Sequence, residues 1–138
     1  MRLEECPYCN GELEYNKHTE ELKYKGKTLF IDMVGEYCPA CQEGFQNDED
    51  LKTNEHTIAL AKTAADKKIA SDIARIRKNL GLSQTEASEI FGGGIRAFHK
   101  YEKGEISPPQ TLVILFDLLD KGTVTLDAIK ENATQKIA

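Results

Sequence analysis

The 138-residue chain predicts an α+β protein: a small N-terminal antiparallel β domain, then an all-α domain of five short helices. Three observations carry that prediction. All four cysteines fall within the first 41 residues. Over about 1–46, apolar residues alternate with polar ones, the period of a half-buried strand. From residue 66 on they recur at helical spacing. The length admits one medium domain or two small ones. A domain of roughly 60 residues buries too little surface to be secure without a staple.

The β elements come first. Leu13 and Tyr15 alternate with Glu12, Glu14 and Asn16; Leu22 and Tyr24 alternate with Glu21 and Lys23. Leu29, Ile31 and Met33 continue the pattern, and Gly26 between Lys25 and Lys27 reads as a hairpin turn. The run Asn47-Asp48-Glu49-Asp50 then reads as a helix start, with acids where the macrodipole favours them. Residues 51–66 lack bulky anchors and read as a linker, a helix or both, and as the preferred proteolytic site.

The helical elements follow. Ile69, Ile73, Ile76 and Leu80 mark one face of a helix closed by Gly81. Ser83-Gln84-Thr85-Glu86 is a capping box opening a second helix that carries Ala87, Ile90 and Phe91. Gly92-Gly93-Gly94 breaks it, and a third helix is expected over about Ile95–Lys103, with Ile95, Phe98 and Tyr101 inward. Pro108-Pro109 starts a fourth, carrying Leu112, Leu115, Phe116 and Leu119, and Thr125 caps a fifth.

Composition narrows the function classes. With 40% hydrophobic and 30% charged residues, the chain has no apolar run near the roughly 18 residues of a membrane helix. The charged start Met1-Arg2-Leu3-Glu4-Glu5 is no secretory signal, so a cytoplasmic location and no membrane partner are expected. The net charge of −5 is uneven: residues 1–50 hold 12 acids and 5 bases, residues 66–138 hold 10 and 11. The first part should therefore repel nucleic acid and suit a basic protein partner. His18, His56 and His99 are isolated, and no nucleophile elbow, phosphate loop or zinc-protease motif is present, so no enzyme is expected.

Cys6-Pro7-Tyr8-Cys9 and Cys38-Pro39-Ala40-Cys41 are two C-P-x-C units with 28 residues between them. Each can present two sulfurs from one tight turn, and a hairpin can bring the turns together. Four thiolates suit one tetrahedral Zn2+. With every position filled by sulfur, the ion would be structural and would supply folding free energy. Two disulfides, redox chemistry at one C-x-x-C and an iron–sulfur cluster are the alternatives.

The stretch Leu80–Ala87, the glycines and Ala97-Phe98-His99-Lys100-Tyr101-Glu102-Lys103-Gly104 resemble a Cro/repressor-type helix-turn-helix over about 69–119. In that motif the second helix of the pair enters the major groove. Arg96, His99, Lys100 and Lys103 form one stripe on it: Arg96 suits guanine, and Lys100 a base or phosphate. Gln84, at the start of the preceding helix, suits a phosphate. Taken on charge alone, the stripe is the solvated face of a surface helix.

The two modules together, with Ala87-Ser88-Glu89-Ile90-Phe91-Gly92-Gly93-Gly94 and Tyr101-Glu102-Lys103-Gly104, resemble the MqsA-type antitoxin family over nearly the whole chain. The resemblance implies a zinc- and toxin-binding domain over 1–50 and the stretch 51–66. It then implies a helix-turn-helix domain over 67–138 that dimerises. It implies two partners, a basic messenger-cleaving ribonuclease toxin and double-stranded, palindromic operator DNA through which the antitoxin represses its own operon. The family's base-reading Asn and Arg correspond to Arg96 and Lys100 here, a departure implying a different operator. The alternative function is a stand-alone zinc-containing regulator that senses metal or redox state without a toxin.

Overall fold

Eight elements make up the chain, and a computed structural model describes residues 2–133 of it. Strands β1 (Glu14–Tyr24) and β2 (Lys27–Tyr37) form an 11-residue hairpin, and the short β3 (Gly44–Phe45) pairs with the end of β2. The hairpin is antiparallel, with Leu22 opposite Leu29 and Glu14 opposite Tyr37. Lys25 and Gly26, at φ 48° and 77°, make the turn. Two left-handed residues in a two-residue loop match the twist of the flanking strands. The expected small antiparallel sheet is present, and Tyr15, Leu22 and Tyr24 all lie on one long β1.

Helix α1 (Asp48–Asn79) follows, 32 residues without interruption. It begins where the acidic run Asp48-Glu49-Asp50 was expected to start a helix. The stretch 51–66 is helical throughout. Two compact units divide the chain, Met1–Thr63 and Ala64–Ala138, with their boundary inside α1. The last five residues of the expected 67–138 domain lie outside the described residues.

Within the first unit, α1 is fastened to the sheet by polar side chains. Asn54 is buried, and its amide pairs with both backbone groups of Val34: it accepts from the Val34 N–H at 2.8 Å and donates to the Val34 carbonyl at 2.9 Å. A side-chain amide thus completes the backbone pairing of β2 where β3 does not reach. Asp50, 1% exposed, accepts hydrogen bonds from Tyr15 Oη at 3.0 Å and from both terminal nitrogens of Arg2 at 3.2 and 3.3 Å. It also exchanges hydrogen bonds with Asn47, whose side chain accepts from the Asp50 N–H, a reciprocal cap of the first turn. Arg2 lies over the Tyr15 ring at 3.4 Å. A buried carboxylate is tolerated only when so fully partnered. The apolar core of this unit is thin: Ile31, Cys6 and Cys38 are its buried apolar side chains.

The second unit has an ordinary apolar core. After α1 come α2 (Gln84–Phe91), α3 (Ala97–Lys103), α4 (Gln110–Asp120) and α5 (Leu126–Ala133). Ile69, Ile73 and Ile76 of α1 pack with Ala87, Phe98, Tyr101, Leu112, Phe116 and Leu119. Phe91, Phe98, Phe116 and Tyr101 interlock, with centroid separations of 5.1 to 6.1 Å. The capping box is present: Glu86 N–H donates to Ser83 Oγ at 3.0 Å, and Ser83 N–H to Glu86 Oε1 at 3.1 Å. No helix among the described residues is long and apolar enough to cross a membrane.

One expectation is corrected. Ile95 was placed in the core by its spacing from Phe98 and Tyr101, but it is 80% exposed. Helix α3 starts at Ala97, two residues later, so helical spacing does not extend back to Ile95. Gly93, at φ 97°, explains the tight entry: a Cβ there would lie 2.9 Å from both Ala97 Cβ and Tyr101 Oη. Only glycine fits that approach.

Candidate metal centre and nucleic-acid interface

The cysteine cluster is built by two turns of the same design. In the first, Cys6 N–H donates to the Gly11 carbonyl and Asn10 N–H to the Cys6 carbonyl, each at 2.9 Å. In the second, Cys38 N–H donates to the Glu43 carbonyl at 2.9 Å and Gln42 N–H to the Cys38 carbonyl at 2.8 Å. Asn10 and Gln42, each directly after its second cysteine, take left-handed φ of 59° and 65°. The hairpin register opposes Glu14 to Tyr37, so the residues flanking the two turns meet at one end of the sheet.

The four sulfurs form one cluster, every pair within 4.8 Å. Cys6 and Cys41 Sγ are 3.6 Å apart, and Cys9 and Cys38 Sγ 3.4 Å. Four sulfurs at about 2.3 Å from one tetrahedral zinc would stand about 3.8 Å from each other. The donor set and its spacing therefore fit such an ion. Gly11 leaves room for it: a Cβ there would lie 3.2 Å from Cys9 Sγ and 3.3 Å from Cys38 Sγ.

Backbone amides point at the sulfurs. The Cys41 amide above all, with those of Ala40 and the thiols of Cys9 and Cys41, holds the Cys38 thiol down to about 7 against the effect of burial. Cys41 goes the other way. The Glu43 amide favours its thiolate, but burial and the crowding of Cys6, Cys38 and Cys9 push it up to about 12. Four close sulfurs cannot all carry charge without a cation among them.

The basic stripe is on α3 and its approach. Arg96, Lys100 and Lys103 are exposed, His99 is half-buried, and Phe98 and Tyr101 on the other side are buried. Gln84 is half-buried at the start of α2. Arg77, which periodicity did not single out, fixes this arrangement. Its Nε and NH2 donate to Glu102 at 2.9 and 2.8 Å, and its NH1 donates to the Leu82 carbonyl at 2.7 Å. One buried guanidinium thus ties the end of α1 to α3 and to the loop before α2. Its sequence signal was slight: a charged residue beside Ile76, paired with the Glu of the Tyr-Glu-Lys-Gly run.

Two comparisons bear on this pair of sites. The family model described as the antitoxin component of a bacterial toxin-antitoxin system, MqsA, matches residues 4–130. The antitoxin MqsA of Escherichia coli (strain K12) is 33% identical over 129 residues, covering 91% of this chain and 98% of that protein.

Proposed function

The chain belongs to the MqsA antitoxin family, and from that premise we propose how its two units divide an antitoxin's work. An antitoxin has a toxin as partner, and it is a regulatory protein, not an enzyme. In this reading the first unit neutralises a basic, messenger-cleaving ribonuclease. The second dimerises and represses the operon by binding a palindromic operator, in the cytoplasm. Charge supports the division: residues 1–63 hold 13 acids against 7 bases, and residues 64–138 hold 10 against 11. An acidic surface suits a basic toxin and resists DNA.

Cys6, Cys9, Cys38 and Cys41 would hold one structural Zn2+, which contributes folding free energy to a unit whose apolar core is thin. Arg96 enters the major groove first and suits guanine O6 and N7; Lys100 follows one turn later. His99, Lys103 and Gln84 contact the phosphate backbone. In a dimer the two α3 helices would lie about one DNA turn, roughly 34 Å, apart. The observation that carries the reading is the exposed Arg96–Lys100–Lys103 stripe, backed by buried Phe98 and Tyr101 and held by Arg77.

Two substitutions test the division. Lys100→Ala should weaken binding to the DNA upstream of the gene at least about tenfold. It should still rescue growth of cells expressing the toxin encoded beside it. Cys38→Ser should do the opposite, losing rescue while the helical unit still binds DNA. Loss of both activities in both variants would refute the division of labour.

A further inference from the structure

We infer that Ile95 reads the C5-methyl group of a thymine in each operator half-site, beside the base met by Arg96. The inference rests on the operator reading proposed above. Ile95 is 80% exposed, the most exposed large apolar side chain among the described residues. It is also held outward. Ser88 Oγ, from a largely buried residue of α2, donates to the Ile95 carbonyl at 3.5 Å, and the Ala97 N–H donates to the Gly94 carbonyl at 3.1 Å. Ala97 and Phe98, immediately after it, are 4% and 0% exposed. Ile95 cannot turn inward without pulling both out of the core.

What covers Ile95 must also receive the charge around it. Arg96 is its neighbour in sequence, and Lys100 is exposed one turn further on. An apolar protein surface closing over Ile95 would desolvate Arg96 without a counter-charge, which is costly. The major groove meets both demands. It presents the thymine methyl as an apolar point, purine N7 and O6 as acceptors for a guanidinium, and phosphates at its edges. A β-branched side chain fixed at the mouth of α3 suits a methyl group, which offers no hydrogen bond to read.

The test removes the methyl group alone. A duplex is selected from a randomised pool with the zinc-loaded full chain, and each thymine is replaced in turn by deoxyuridine. The wild-type chain should lose about fourfold in affinity per half-site at one thymine position. Ile95→Ala should bind the thymine and deoxyuridine duplexes equally, about as weakly as the wild type binds the deoxyuridine form. Ile95→Val should keep part of the discrimination. Insensitivity of the wild type at every thymine would overturn the inference, as would undiminished sensitivity in Ile95→Ala. So would an equal loss by Ile95→Ala on all duplexes, random DNA included, since that would place the side chain in assembly. Recovery of no preferred duplex would overturn the operator reading and this inference with it, whereas a preferred duplex without methyl sensitivity overturns the inference alone.

Discussion

Two glycines set the tolerances of the two sites, and they do so for different reasons. Gly11 is a matter of space: an added Cβ would sit 3.2 and 3.3 Å from the sulfurs of Cys9 and Cys38. Sulfurs bound to an ion cannot shift by the required few tenths of an ångström without distorting it. Gly11→Ala should therefore weaken zinc binding by about 1–3 kcal/mol, the usual cost of overpacking, as read by competition with a chromophoric chelator. Gly93→Ala should leave zinc affinity alone and lower the melting temperature of the helical unit, because its Cβ would meet Ala97 and Tyr101 at 2.9 Å. Gly92, at φ 86° with open space around it, separates the two effects. Gly92→Ala should cost only the conformational share, about 1 kcal/mol. Equal losses in Gly92→Ala and Gly93→Ala would show that crowding at Gly93 is unimportant. The four cysteines were legible in the sequence because their spacing alone implies paired turns. The role of Gly11 was not, since a glycine after such a turn reads as flexibility, and only the sulfur positions reveal it as room.

Between elements, the joint of sheet and α1 is polar, and that explains why it escaped a search for apolar periodicity. Periodicity registers Ile69, Ile73 and Ile76, so the helix was legible from there on. It does not register Asp50 and Asn54, which fasten the first two turns by hydrogen bonds. Ile95 failed in the opposite direction, where a helical spacing was carried past a helix start that the glycines had moved to Ala97. The joint makes a prediction about pH. Burial works to raise the Asp50 pKa, but Arg2, the Asn47 amide and Tyr15 outweigh it and hold the carboxyl below its usual value. A depressed folded value means stability that is fully present above the unfolded pKa, about 3.9, and lost only as pH falls through the folded value. Asp50→Asn should therefore lower the melting temperature of the first unit. With zinc in excess, the gap from wild type should stay constant between about pH 7 and 5, because Asp50 remains ionised throughout. A gap that closes over that interval would mean that burial wins and the carboxyl protonates early.

At the scale of the whole chain, α1 belongs to both units, and its middle is held by neither. Asn54 is the last buried residue of α1 before Ile69. The span between them, 55–68, has no buried residue, and two of its threonines turn back to the helix, Thr57 to the Thr53 carbonyl and Thr63 to the Ala59 carbonyl. Such back-bonding slightly weakens a helix, and an isolated helix of about 14 residues is marginal in water. The span remains helical because helix on either side of it is anchored, by Asp50 and Asn54 before it and by Ile69 and Ile73 after it. The anchors before it belong to the unit that the cysteine cluster holds together. Removing the ion should release them, since metal affinity and folding are one equilibrium in such a unit. The expected outcome of limited trypsin digestion follows. Zinc-loaded protein should resist cleavage at Lys62, Lys67 and Lys68. Chelation should open those sites first, leaving a stable fragment that begins near residue 68 and keeps the helical core. Mass spectrometry of the fragments, with and without chelator, reads both ends of the claim. Rapid cleavage at Lys62 in the zinc-loaded chain would mean that the span is a linker regardless of the ion. Loss of the helical fragment on chelation would mean that the second unit does not stand alone. The predicted result would make the antitoxin's susceptibility to proteolysis a consequence of its metal occupancy, with the weak segment concealed inside a continuous helix.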